Sequence, residues 1–116
     1  MKNEKIFAMP LASVYPHYIK KVESKGRSQQ ELEAVFFWLT GYDAESLHTH
    51  LANKTSFADF FALAPNMNPN VSKITGLICG YRVEEIEDPL MQKIRYLDKL
   101  VDELAKGKAM EKILRK

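Results

Sequence analysis

The stretch from Asp88 to Lys106, DPLMQKIRYLDKLVDELAK, constrains the fold more than any other part of the chain. Its start, apolar seam and stop are all legible. Asp88 is suited to accept backbone N–H groups as an N-cap, Pro89 fits the first helical position where no N–H partner is needed, and Gly107 stands where a left-handed C-cap belongs. Leu90, Ile94, Leu97, Val101 and Leu104 recur at spacings of four and three, which puts them on one face. A long helix of this kind must bury that face, either inside its own chain or against a second copy. We expect a homo-oligomer through these five residues as one outcome and intramolecular burial as the other. The seam covers only about two heptads, fewer than a secure coiled coil shows.

The rest of the chain supplies more helices. Ser13 is expected to cap a helix running to about Lys25, with Pro16 in its first turn, Gly26 at its end and Tyr15, Tyr18, Ile19 and Val22 as its stripe. Ser28 and Glu31 have the spacing of a capping box and open a helix through Leu39. Leu32, Val35, Phe36 and Leu39 face one way, and Phe37 and Trp38 widen that face, so this helix is placed at the centre of the core. Asp43 caps a helix to about Asn53 carrying Leu47 and Leu51. Ser56 and Asp59 open another, with Phe57, Phe60, Phe61 and Leu63, that stops at Ala64 before Pro65. Asn68-Pro69 repeats the logic of Asp88-Pro89 and marks a further start. Lys108 to Lys116 resumes as a short helix with Met110, Ile113 and Leu114.

Ile74 to Val83, ITGLICGYRV, is ambiguous, because its β-branched residues favour a strand while the Asn68-Pro69 start favours a helix. The helix is preferred, with Gly76 and Gly80 as a small-residue face. The expected fold class is therefore all-α, a compact bundle of about five to six helices with a long C-terminal helix. The alternative is α+β, with a short two-stranded element using Lys5 to Met9 and Ile74 to Val83.

A chain of 116 residues is one helical domain, 1–116, large enough to bury roughly two-thirds of its unfolded surface without disulfides or metals. Hydrophobic residues at 46% and charged residues at 28% exclude the disordered and fibrous classes. Cys79 stands alone, so no internal disulfide is possible. Lys2, Lys5 and the following IFAMPLASV resemble a secretory signal, but Glu4, the short apolar run and Pro10 argue against one. No run reaches the 18 or so apolar residues that span a bilayer, and we expect a cytoplasmic protein with no membrane partner. The net charge of +2 is spread in alternating blocks, which favours pairing within or between subunits over a nucleic-acid footprint.

No catalytic motif stands out, so enzymatic activity is left open, and no cofactor is expected. The glycines match neither dinucleotide nor P-loop patterns. His48 and His50 lie two apart on a helix and diverge, so both read as solvent-exposed side chains rather than a metal pair. Glu84, Glu85, Glu87 and Asp88 cluster, but capping and nearby cations account for them without a metal. The segment 29–53 has the outline of a helix-turn-helix, yet Asp43 and Glu45 oppose phosphate at its reading end, and nucleic-acid binding is not expected. Cys79, among apolar neighbours, reads as a buried small hydrophobe.

The motifs FFWLTGY (36–42), APNMNPN (64–70) and ICGYRVEEIEDPLMQKIRYLDKLVDELAKGKAMEKIL (78–114) together resemble a bacterial family of uncharacterised small proteins, catalogued only as a domain of unknown function. The resemblance implies a free-standing bacterial domain and brings no activity, cofactor or catalytic residue with it. Two functional readings remain. The first is a small binding or interaction protein that self-associates. The second is a ligand-binding protein or enzyme whose pocket uses Asn66, Asn68 and Asn70 as amide donors and acceptors, Arg82 as an anion holder and Glu84 or Glu85 as acceptors, with Tyr15 and Tyr42 as walls. Turn and cap duties for the asparagines, and ion pairing of Arg82 with its neighbouring carboxylates, are the structural alternatives.

Overall fold

A computed structural model describes residues 2–115. Helix α6, Pro89–Ala105, follows the sequence reading closely: Asp88 Oδ accepts from Met91 N–H, Pro89 opens the first turn and Gly107 has φ +90°. The seam is consumed inside the chain. Ile94, Leu97, Val101 and Leu104 are at most 2% exposed, Leu90 is half-buried, and α6 lies against α2 (Leu11–Glu23) and α3 (Gln29–Thr40). The face that periodicity assigns to either a core or a partner thus packs into the core of the single chain.

Among the described residues there are seven α-helices, two 3-10 turns and one two-stranded hairpin, so the fold is essentially all-α. Helix α3 opens with the expected capping box, Ser28 accepting from Glu31 N–H and Glu31 from Ser28 N–H. Leu32, Val35, Phe36 and Leu39 are fully buried, whereas Phe37 and Trp38 are only half-buried. Helix α4, Ala44–Ala52, carries an equivalent box between Asp43 and Ser46. Helix α5, Phe57–Ala62, starts on the Ser56 cap and sends Phe57, Phe60 and Phe61 into the core, while Leu63 remains exposed. Helix α7 is the single turn Met110–Ile113, whose Ile113 is fully buried.

Three expectations are corrected. The Lys5 to Met9 stretch is not a strand: Lys2–Ala8 form helix α1. Helix α2 then begins at Leu11, with Pro10 rather than Ser13 at the N-cap, which leaves Pro16 on the exposed face of the second turn. The reason is tertiary. Leu11 N–H donates to Thr55 O and Phe57 N–H to Met9 O, so the starts of α2 and α5 satisfy each other's orphan donors across the fold.

The third correction concerns Ile74 to Val83, which is not a helix. Strands β1 (Leu77–Ile78) and β2 (Tyr81–Arg82) pair antiparallel, Leu77 opposite Arg82 and Ile78 opposite Tyr81, with no contribution from Lys5 to Met9. Cys79 and Gly80 form the two-residue turn with φ +50° and +84°, the double positive φ of a hairpin turn whose twist matches its strands. Cys79 is consequently exposed rather than buried.

The C-terminal segment is closed over the bundle. Glu103, 8% exposed, receives two hydrogen bonds from Arg115 at 2.7 and 2.8 Å, and Lys108 lies 3.4 Å away. Arg27 Nη1 donates to Lys108 O at 2.8 Å, which fixes the same segment to the start of α3.

Candidate functional site

The asparagine loop and the Arg82–Glu85 segment do not share a site. Asn66 N–H donates to Thr40 O and Asn68 N–H to Leu39 O, so this loop satisfies carbonyls left unpaired at the end of α3. The Asn68 side chain accepts from Asn70 N–H and caps the 3-10 turn Pro69–Lys73, and Asn70 Nδ2 donates to Arg115 O. The Asn68 and Asn70 side chains therefore have structural duties at the Asn68-Pro69 step, while Asn66 serves the loop through its backbone N–H. Tyr15 and Tyr42 are core residues rather than pocket walls. Tyr42 stacks on Phe60 with ring centroids 4.6 Å apart and donates to Phe60 O at 2.6 Å. Tyr15 is 6% exposed, and burial, reinforced by the Glu33 charge, pushes its hydroxyl up to about 12.

The histidines separate as their spacing requires. His48 is exposed and meets Glu33 at 2.9 Å; His50 is half-buried against Tyr42 and Phe60 and pairs with Thr55 at 2.9 Å, so only the first fits the solvent-exposed reading. Among the described residues, no three histidine, cysteine or acidic side chains gather as a metal site. No described helix is long and apolar enough to cross a membrane.

An open groove of about 610 Å³ lies between α1, the hairpin and the start of α6. Ile6, Ile86 and Met91 give it apolar surface, Tyr81 and Arg82 stand on the hairpin side, and Glu85, Glu87, Asp88 and Arg95 supply charge. The volume falls within the usual range for ligand sites. Two of the sequence candidates, Arg82 and Glu85, thus line one groove, while Glu84 is not part of its lining and instead accepts from Gly76 N–H.

Helix α6 positions the hairpin. Gln92 Nε2 donates to Val83 O at 3.1 Å, Arg95 Nη1 to Cys79 Sγ at 3.4 Å and Lys99 Nζ to Leu77 O at 3.3 Å. Their spacing of three and four places them on one face of the helix. Fully buried Val83 anchors the hairpin's far end and donates its N–H to Gly76 O. Sequence reasoning missed Gln92, Arg95 and Lys99 as hairpin supports; their shared polar face beside the apolar seam is the signal that was present.

The electrostatics of the groove follow from its pairings. Glu84 accepts from its own N–H and from Gly76 N–H, and these bonds, with Arg82 at 3.5 Å, hold its carboxyl below the usual range. Burial works against the charge of Arg95, but Asp98, at 2.7 Å, more than offsets it and holds the guanidinium above its ordinary value. Asp98 in turn accepts from the Tyr18 hydroxyl at 2.6 Å; burial first, and that anion second, push Tyr18 well above the ordinary tyrosine value. Asp88 is committed through one oxygen to its cap. Glu85 and Glu87 are exposed and make no ion pair among the described residues.

Comparison with known proteins supports the fold at high similarity. A solved structure described as "Crystal structure of uncharacterized protein SP1917" is 48% identical, with a TM-score of 0.90 over 96% of this chain and 91% of that one. No curated protein matches the chain. The family profile described as "Uncharacterized protein conserved in bacteria (DUF2200)" matches residues 5–115. A match over nearly the whole length means that the chain belongs to this bacterial family.

Proposed function

We propose that the protein is a small binding module whose working surface is the groove between α1, the hairpin and the start of α6. The observation that carries this reading is the coincidence of volume, apolar lining and charged rim at one place, about 610 Å³ lined by Ile6, Ile86 and Met91 beside Tyr81, Arg82, Glu85, Glu87 and Arg95. Ligand sites commonly combine a concave apolar surface with a few convergent polar groups. The groove is also built on supports that hold it open, since Gln92, Arg95 and Lys99 fix the hairpin against α6. The exposed free thiol of Cys79 is most readily kept reduced inside the cell, which supports a cytoplasmic site of action.

The test is a fragment screen followed by amide chemical shifts of the isotope-labelled protein. Hits are expected to shift Tyr81, Arg82, Ile86, Met91 and Arg95 together and to be lost in Ile86→Trp, which fills the groove. Hits scattered over the surface, or unaffected by Ile86→Trp, overturn the reading.

A second reading, self-association, is favoured by the hairpin. Leu77 and Tyr81 are 62% and 64% exposed, two large apolar side chains on neighbouring strands. Sedimentation of the wild type and Leu77→Ser/Tyr81→Ser decides it: the oligomer reading requires an assembled wild type and a monomeric variant, and a wild-type monomer at micromolar concentration overturns it.

A further inference from the structure

We infer that the groove takes a lysine or arginine side chain carried on a short peptide segment with apolar neighbours. This rests on the groove being the working surface, and it comes from how its charges are spent. Both lining cations are held by carboxylates outside the lining, Arg82 by Glu84 at 3.5 Å and Arg95 by Asp98 at 2.7 Å. The lining carboxylates have no corresponding partners. Asp88 faces the positive end of α6, which partly compensates it, but Glu85 and Glu87 make no ion pair among the described residues. The groove therefore presents uncompensated negative charge.

An anionic ligand would meet Glu85 and Glu87 and would have to compete with Glu84 or Asp98 for its arginine. The Asp98 contact is short and only 16–20% exposed on its two side chains, so that competition is costly. A cation meets neither obstacle. Its alkyl stem can lie on Ile6, Ile86 and Met91 while its charged head remains at the wet rim near Glu85 and Glu87. Tyr81, 64% exposed, adds an aromatic face of the kind that attracts ammonium and guanidinium groups. About 610 Å³ is more room than one such side chain fills, which leaves space for the apolar neighbours of a peptide.

The test uses three acetylated hexapeptides alternating leucine with lysine, glutamine or glutamate, titrated into the full-length protein and followed by calorimetry and amide shifts. The lysine peptide is expected to bind at least about fivefold more tightly than the glutamate peptide, to shift Tyr81, Ile86 and Met91, and to weaken as salt rises. Glu85→Gln/Glu87→Gln, whose sites are exposed, is expected to keep its melting temperature and to bind the lysine peptide roughly five- to tenfold more weakly. Equal binding of all three peptides in the groove, or preference for glutamate, overturns the cationic ligand while leaving the groove reading intact. Binding of none, or shifts only at distant residues, overturns both.

Discussion

Gly41 ends α3 with φ +79°, and the chain passing above it forbids a side chain there twice over. A Cβ would lie 2.9 Å from Asn66 N, the donor to Thr40 O at the end of α3, and 3.1 Å from Asn66 O. Gly41→Ala is expected to destabilise by at least about 1–3 kcal/mol from backbone strain alone, read as a lowered urea midpoint without a change of slope. Cys79 is the converse case, a side chain where glycine or asparagine would be easier, at φ +50° in a turn whose usual residues are Asn-Gly. Cys79→Asn is expected to raise stability by about 0.5–1 kcal/mol in the same measurement, against the loss of one weak bond from Arg95. A fall in stability would mean that the sulfur contact matters more than the turn. Cysteine also explains why this turn was hard to read: Ile78 and Tyr81 around Cys79-Gly80 look like an apolar run, whereas Asn-Gly there would have announced a hairpin.

At the scale of elements, caps were the most legible feature because they are local. Ser28 and Glu31 close the expected box, and Asp43, Ser56 and Asp88 each cap the helix that they were expected to open. These caps give the protein an acid-sensitive component. Arg27, hydrogen-bonded to Glu31, lowers that carboxyl from 4.5, and Ser46 N–H lowers Asp43 from 3.8. Because the folded-state values lie below the unfolded ones, the stabilisation is complete above about pH 4.5 and is lost as pH falls through the lowered values. The melting temperature is expected to decline below that pH, and Glu31→Gln is expected to decline less steeply from a lower plateau. Equal slopes would remove Glu31 from the acid response. Where an element's ends depend on distant partners, the local reading slipped: α2 starts at Leu11 because Thr55, far along the chain, accepts its N–H.

For the whole molecule, the decisive arrangement is α6 enclosed by α2, α3 and the C-terminal turn. One cluster of buried side chains runs from Leu11 to Ile113 through every long helix, within a radius of gyration of 13.2 Å. Ile113, fully buried, is carried on a single helical turn held by the Glu103–Arg115 pair and by Asn70. Ile113→Ala is expected to cost about 2–4 kcal/mol and to loosen the 108–115 segment in hydrogen exchange ahead of global unfolding. Exchange that remains uniform would mean that the segment is not a separate unit. Local spacing was enough to read helices α3 to α6, their capping residues and the α6 seam, because periodicity and capping act over one or two turns, but it missed α1 and the true start of α2. It left open what covers that seam, since a helix face reads the same whether a neighbour or a second copy packs on it. Long-range packing settles that the seam is internal, that Ile74 to Val83 folds back as a hairpin, and that Arg82 and Glu85 line a groove while the Asn66 to Asn70 loop closes the end of α3 and its neighbours. Each of these depends on groups far apart in the chain, Val83 N–H with Gly76 O against α6, or Asn66 with Thr40, whose pairing local spacing does not encode.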